Sequence, residues 1–161
     1  MATEVSMVQP IPPDRPGVIP YLTVEGAASA ITWYGTVFGA TSGSTTPSAD
    51  GRLVHAELRV GEGLVFVADD FPETNDGQGA SPWAVGGSPV TLHHYVRDVD
   101  ATVEVAVAEG ATLLFGPVEM FWGDRFAKIQ DPFGHLWSLA THVRDVTEEE
   151  QAAAAAELGT G

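Results

Sequence analysis

The chain contains no cysteine. That excludes disulfides, thiolate metal centres and cysteine nucleophiles, and it leaves the redox compartment open. Positive charge is scarce: seven Lys and Arg stand against 22 Asp and Glu, a formal net charge of −15 over 161 residues. Lys128 is the one lysine. A field of that sign repels phosphate backbones and anionic lipid, so neither nucleic acid nor a membrane surface is expected as a partner. It would favour a cationic ligand slightly, although solubility is its plainer meaning. No apolar run approaches the roughly 18 residues of a membrane span. The opening MATEVSMVQP lacks a basic and then an apolar segment, so no signal peptide is expected and a cytoplasmic location is the default. Hydrophobic and charged contents of 44% and 18% are globular values. The length suits one domain, or two very small ones built as a pair.

What is present is a repeat. Tyr21-Leu22-Thr23-Val24 leads through a helical stretch to Phe38-Gly39-Ala40-Thr41, and His93-His94-Tyr95-Val96 leads through another to Glu109-Gly110-Ala111-Thr112. A period of roughly 70 residues, met twice, predicts a duplicated unit whose halves pack together, and ligand sites favour such interfaces.

Residues 1–17, with four prolines, read as a flexible arm. A strand is expected over 18–24. Ala27, Ala30, Ile31, Tyr34 and Phe38 mark one face of a helix over 27–38, stopped by Gly39. A weak strand falls somewhere within 41–47, a turn at Asp50-Gly51, an alternating strand through His55–Val60 and an apolar one at 64–68. Residues 69–89 are rich in Asp, Gly, Ser and Pro and form the connection, long enough to cross over or to act as a lid. The second unit follows with a strand at 90–96, a helix over 100–109 capped by Asp98, and strands at 112–115, 125–130 and 136–141, the last two joined by an Asp131–Gly134 turn. Thr147 and Glu150 form a capping box for a terminal helix over 147–157. Each unit therefore reads βαβββ. Two such units predict an α+β fold: an open, curved, eight-stranded mixed sheet with helices on its outer face and a trough inside.

The duplicated unit, its Phe-Gly-Ala and Glu-Gly-Ala helix stops and the Asp131-Pro132-Phe133-Gly134-His135 turn resemble the vicinal oxygen chelate superfamily, the glyoxalase, bleomycin-resistance and extradiol dioxygenase group. PYLTV, HAEL, Trp122-Gly123-Asp124-Arg125 and DPFGHLWSLATH look most like its PhnB-like branch. The resemblance covers residues 18–146: repeat one 18–70, linker 71–89 and repeat two 90–146, with 147–161 as a tail. It implies a homodimer, in which the linker would allow exchange of units between subunits. It also implies a divalent metal held by His, Gln or Glu. The matching positions here are Ile19, Val67, Thr91 and Ser138, which supply no imidazole or carboxylate. No metal or other cofactor is therefore expected, with a relocated divalent metal as the alternative.

In the register of that resemblance, Tyr21, Thr23, His55, Glu57, Thr91, His93, Tyr95, Phe126, Lys128 and Ser138 face the trough. Leu22, Val24, Val54, Ala56, Leu58, Phe66, Leu92, Val96, Ile129, Trp137 and Leu139 face the helices. His55 and Glu57, two apart on one strand, could act together, the carboxylate orienting the imidazole; a solvated sheet surface explains them equally. His93 is the second candidate base, and a His55/His93 metal pair with Glu57 is conceivable. Trp122 and Phe126 could stack on a planar ligand or simply pack the rim. Lys128 could bind an anion or pair with Glu57. His94 is expected to be structural, His135 to serve its turn and His142 to be exposed. The candidate ligand set is thus Tyr21, His55, Glu57, His93, Tyr95, Trp122, Phe126, Lys128 and Ser138. Two functions follow from it. One is a protein that binds a small organic molecule in the trough without the family metal. The other is a lyase, isomerase or dioxygenase-type enzyme using a His base or a relocated metal.

Overall fold

The structure, a computed structural model, describes residues 8–15 and 17–159. Of the arm expected over 1–17, residues 1–7 and 16 lie outside the described residues. The rest of the arm has no helix or strand.

Both units fold as βαβββ. The first comprises β1 (Tyr21–Val24), α1 (Ala27–Phe38), β2 (Thr41–Pro47), β3 (Leu53–Val60) and β4 (Gly63–Asp69). The second comprises β5 (Thr91–Tyr95), α2 (Val99–Ala108), β6 (Thr112–Glu119), β7 (Asp124–Gln130) and β8 (Leu136–His142), followed by α3 (Glu148–Leu158). The eight strands are hydrogen-bonded as two four-stranded mixed sheets, ordered β1-β4-β3-β2 and β5-β8-β7-β6. In each sheet the first strand runs parallel to the fourth and the other pairs are antiparallel. The sheets approach along β1 and β5, where Pro20, Tyr21 and Leu22 share a cleft with Val90, Leu92 and His135.

Local signals explain the elements. Gly39 ends α1 at φ 66°, a left-handed conformation that only glycine adopts freely. The Asp98 carboxylate caps α2 by accepting the Ala101 N–H, and Thr147 and Glu150 complete the capping box of α3. The polar run Thr41–Pro47 pairs with β3 despite weak β-propensity, because an edge strand is held by its ladder and can leave every side chain exposed. β6 runs on to Glu119 through a bulge at Gly116, where a Cβ would lie 2.3 Å from the Phe126 carbonyl oxygen.

One core joins the units. Ala27, Ala30, Trp33, Tyr34 and Val37 of α1 and Val99, Val103 and Ala106 of α2 cover the outer faces, carried by Leu22, Val24, Ala56, Leu58 and Val67 in the first sheet and Ala127, Ile129, Trp137 and Leu139 in the second. Polar ties cross between them. Tyr34 donates to buried Asp131 (2.6 Å), Trp33 Nε1 donates to the Glu109 carbonyl (3.0 Å), and His135 Nε2 lies 3.0 Å from the Thr23 carbonyl oxygen. Asp131 also accepts from the Trp137 indole and from the backbone N–H groups of Phe133 and His135.

The connection after β4 contains a 3₁₀ turn at Pro72–Thr74 and one helical turn at Pro82–Val85. It is pinned rather than free: Asp70 accepts from the Ala80 and Ser81 N–H groups, Ser81 donates to Glu25, and Trp83 donates to the Pro132 carbonyl. Gly134 makes room for it, since a Cβ there would meet Pro82 at 2.7 Å. No helix among the described residues is long and apolar enough to cross a membrane.

Candidate functional site

The faces of the sheets opposite the helices form the trough. On the first sheet the backbone register sets Tyr21 beside Phe66 and Phe66 beside Glu57. Phe66 therefore belongs to the trough, not to the helix face as the sequence register has it. Its ring meets Tyr21 edge-on at 5.4 Å and His55 at 4.7 Å. Val67 takes the buried side instead, paired with Leu22 and Ala56 and fully enclosed. Val54 shares the parity of the core residues but is 48% exposed, because it lies at the β3 end where helix cover stops.

A chain of polar contacts runs along this wall. Tyr21 Oη lies 2.6 Å from His55 Nδ1, His55 Nε2 lies 3.5 Å from Glu57 Oε1, and Arg15 donates to Glu57 Oε2 at 2.5 Å. Glu57 is thus partnered by the N-terminal arm and not by Lys128, because Lys128 stands on the other sheet. The Arg15 guanidinium holds the Glu57 carboxyl below the usual carboxylate range, while burial raises the Tyr21 phenol above its ordinary value.

The second sheet carries the aromatic wall. His93 packs edge-on to Tyr95 at 4.8 Å and parallel to Phe126 at 6.3 Å, and Phe126 meets Trp122 at 5.6 Å and Phe115 at 6.1 Å. His93 Nδ1 lies 2.7 Å from the Ser138 hydroxyl. Tyr95 donates to Asp124 at 2.9 Å, and the other Asp124 oxygen lies 2.9 Å from His142 Nδ1. Burial works to raise the Asp124 carboxyl; the hydrogen bonds from His142 and Tyr95, with the His142 charge, outweigh it and hold it below the usual range. That bond in turn lifts the Tyr95 phenol. His142 is itself raised by Asp145 and Asp124. Arg125 points outward to Asp100 at the start of α2.

The nine expected ligand residues therefore all lie on the trough side, divided between two walls: Tyr21, His55 and Glu57 on one, the other six on the other. His55 and His93 are not brought together as a pair; each bonds within its own sheet. His94 packs on Phe38 of α1 at 5.3 Å, and burial lowers its imidazole, consistent with a structural role. Two contributors escape the sequence. Arg15 sits in a proline-rich arm without periodicity. Asp124 reads as a loop residue until β7 begins with it. The Trp122-Gly123-Asp124-Arg125 stretch of the family resemblance points to the neighbourhood but not to its buried bonds.

The residues do not fit the divalent metal that the family resemblance implies. Ile19 has no donor atom, and neither has Val67 nor the trough-facing Phe66 beside it. Thr91 and Ser138 offer neutral hydroxyls, the latter engaged with His93. Among the described residues no three His, Asp or Glu side chains are grouped as a metal cage. A separate cavity of about 460 Å³ lies between β1, β3 and the connection, lined by Glu25, Arg52, Asp69 and Asp70. Its acids are committed: Asp69 accepts from the Gly26, Ala27 and Leu53 N–H groups, Asp70 from those of Ala80 and Ser81, and Glu25 from the Ser81 hydroxyl.

Comparison with known proteins agrees with this architecture. The uncharacterized protein Rv0887c of Mycobacterium tuberculosis is 42% identical over 147 residues, covering 91% of this chain and 86% of the relative. A gene product from Arabidopsis thaliana of solved structure is 28% identical, with a TM-score of 0.61 over 77% of this chain and 97% of that one. TioX from Micromonospora sp. ML1 is 26% identical, with a TM-score of 0.58 over 81% and 99%. The model of the Glyoxalase/Bleomycin resistance protein/Dioxygenase superfamily matches residues 18–139, and it is to this superfamily that the chain belongs.

Proposed function

We propose that this protein binds a small, flat organic molecule in its trough without the family's metal. The observation that carries this is the ring wall of the second sheet, where His93, Tyr95, Phe115, Phe126 and Trp122 stand in mutual contact with Tyr95 59% and Phe115 46% exposed. Such rings present apolar area at low entropic cost and stack on planar ligands. The donor-poor family positions support the metal-free part. The apolar, exposed Leu113, Leu114 and Val118 of β6 support a homodimer, since a monomer rarely leaves so much apolar surface together. Elemental analysis of protein purified without chelator tests the first claim: stoichiometric Zn, Ni, Mn or Fe, lost in His55→Ala or His93→Ala, would sink it. Titration of a Trp83→Phe variant with 2-naphthamide tests the second. Quenching of the half-buried Trp122 indole, and its loss in Phe126→Ala, are expected, since Trp33 and Trp137 are buried. An unchanged spectrum would overturn it.

A second reading, an acid–base enzyme, is favoured by the Tyr21–His55–Glu57–Arg15 chain, in which a carboxylate backs an imidazole that faces the trough. In that case the protein in D₂O exchanges the α-protons of β-tetralone and His55→Ala does not. Equal exchange in both would remove this reading.

A further inference from the structure

At the level of Lys128 one row of side chains crosses the second sheet: Phe115, Lys128, Ser138 and His93, successive partners in the strand register. The corresponding row of the first sheet is Gly43 at the bulge, then Glu57, Phe66 and Tyr21. Both rows carry one charge at the same place. Glu57 is neutralised by Arg15. Lys128 has no hydrogen bond or ion pair among the described residues. Asp124, on the same strand and face, is four residues away, about 13 Å at strand rise, and its two oxygens are taken by Tyr95 and His142. Lys128 is half-buried, paired in register with Phe115 on one side and Ser138 on the other and two residues from Phe126 on the same face.

The net charge of −15 is that of the whole chain. At the ring wall the local balance is reversed: one cation, without a partner among the described residues, stands on the trough side beside aromatic surface. A cationic ligand would meet that ammonium. A dianion would match it only in part and would meet the acidic field in full. A single carboxylate matches it one to one and accepts its hydrogen bonds.

On the basis of the trough-binding function proposed above, we propose that the ligand class is the aromatic monocarboxylate, its ring on the Phe126–Trp122 wall and its carboxylate on Lys128. The Ser138 hydroxyl bonds one nitrogen of His93, and His93 Nε2 has no partner among the described residues, which leaves it as a second donor to the same anion.

The test uses three probes of one shape: 2-naphthoate, neutral 2-naphthamide and cationic 2-(aminomethyl)naphthalene, titrated calorimetrically into the full chain at pH 7. Naphthoate is expected to bind roughly tenfold tighter than the amide, the scale of one charge-assisted hydrogen bond, and the cation weakest. Lys128→Met should bring naphthoate down to the affinity of the amide and leave the amide unchanged, while Lys128→Arg keeps the preference. Three probes binding alike and competing with one another would overturn the carboxylate assignment and leave trough binding standing. Binding of none of the three would overturn trough binding, and the assignment with it. A naphthoate preference that survives in Lys128→Met would place the anion elsewhere and overturn the assignment to this lysine.

Discussion

The two units are built on one plan and finished differently. Their strands, parallel first and fourth pairs and helix cover are equivalent, yet the first trough wall is closed upon itself and the second is not. Glu57 is locked by Arg15, and His55 has both nitrogens engaged. At the equivalent place the second wall has Lys128 without a partner among the described residues, set among rings. The turns differ as well. β3 and β4 are joined through Gly61 and Glu62, whereas β7 and β8 are joined through Asp131–His135 with a buried carboxylate at the centre. Duplication supplied two copies of a scaffold; in the first the charge at this row is paired with Arg15, and in the second it has no partner among the described residues. Satisfied groups stabilise, whereas unpaired ones recognise.

That contrast can be broken most severely at the turns. Asp131 is 2% exposed and accepts four hydrogen bonds, from Tyr34, Trp137, Phe133 and His135. Asp131→Ala leaves buried donors without acceptors and should cost about 3–5 kcal/mol in urea unfolding. Glu62→Ala in the first turn should change stability by less than about 0.5 kcal/mol. Equal effects would erase the difference between the turns.

A smaller effect is expected at Asp124, 3% exposed beneath Tyr95 and His142. Asp124→Asn keeps the shape, removes the charge and should cost about 2 kcal/mol, again by urea unfolding. A third change works on binding instead. Arg15→Ala frees the Glu57 carboxylate on the first wall and should weaken 2-naphthoate roughly threefold, with 2-naphthamide unaffected, on the scale of a partly screened charge. If both probes weaken equally, the arm acts by packing and the charge contrast between the walls is irrelevant to binding.

The least effect concerns pH. His142 has its pKa raised by Asp145 and Asp124, so its charged form is favoured in the folded state. Its contribution is complete below the unfolded value near 6.5 and fades as pH rises through the higher folded value. The stability difference between wild type and His142→Gln should therefore shrink from pH 6 to pH 8. A constant or growing difference would show that the bond carries no charge.

Much of this plan is legible in the residues. The 27–38 helix with its Gly39 stop, the Asp98 and Thr147 caps, the Asp131 turn and the βαβββ order all rest on local signals, and the structure shows each of them. Alternation, phased by the register of the family resemblance, places His55, Glu57, His93, Tyr95, Phe126 and Lys128 on the trough side. It fails at Phe66 and Val67, because a continuous apolar run has no polar residue to mark its phase, and only the pairing with Tyr21 and Glu57 fixes it. Arg15 and Glu57 are 42 residues apart, and Tyr34 and Asp131 are 97 apart. Such contacts depend on how the units dock, which no local pattern encodes. The same holds for the division into two sheets, since β1 and β5 share a cleft but no ladder.

The ties across that seam have a consequence for the independence of the two halves. Tyr34 reaches Asp131, Trp33 reaches Glu109, and His135 reaches Thr23, so each half completes the hydrogen bonding of the other. Neither half is complete by itself. Expressed separately, either half would carry orphaned polar groups and an uncovered flank. Produced together as two fragments divided between Asn75 and Gln78, where the connection is exposed, the halves have the complementary surfaces to reassemble.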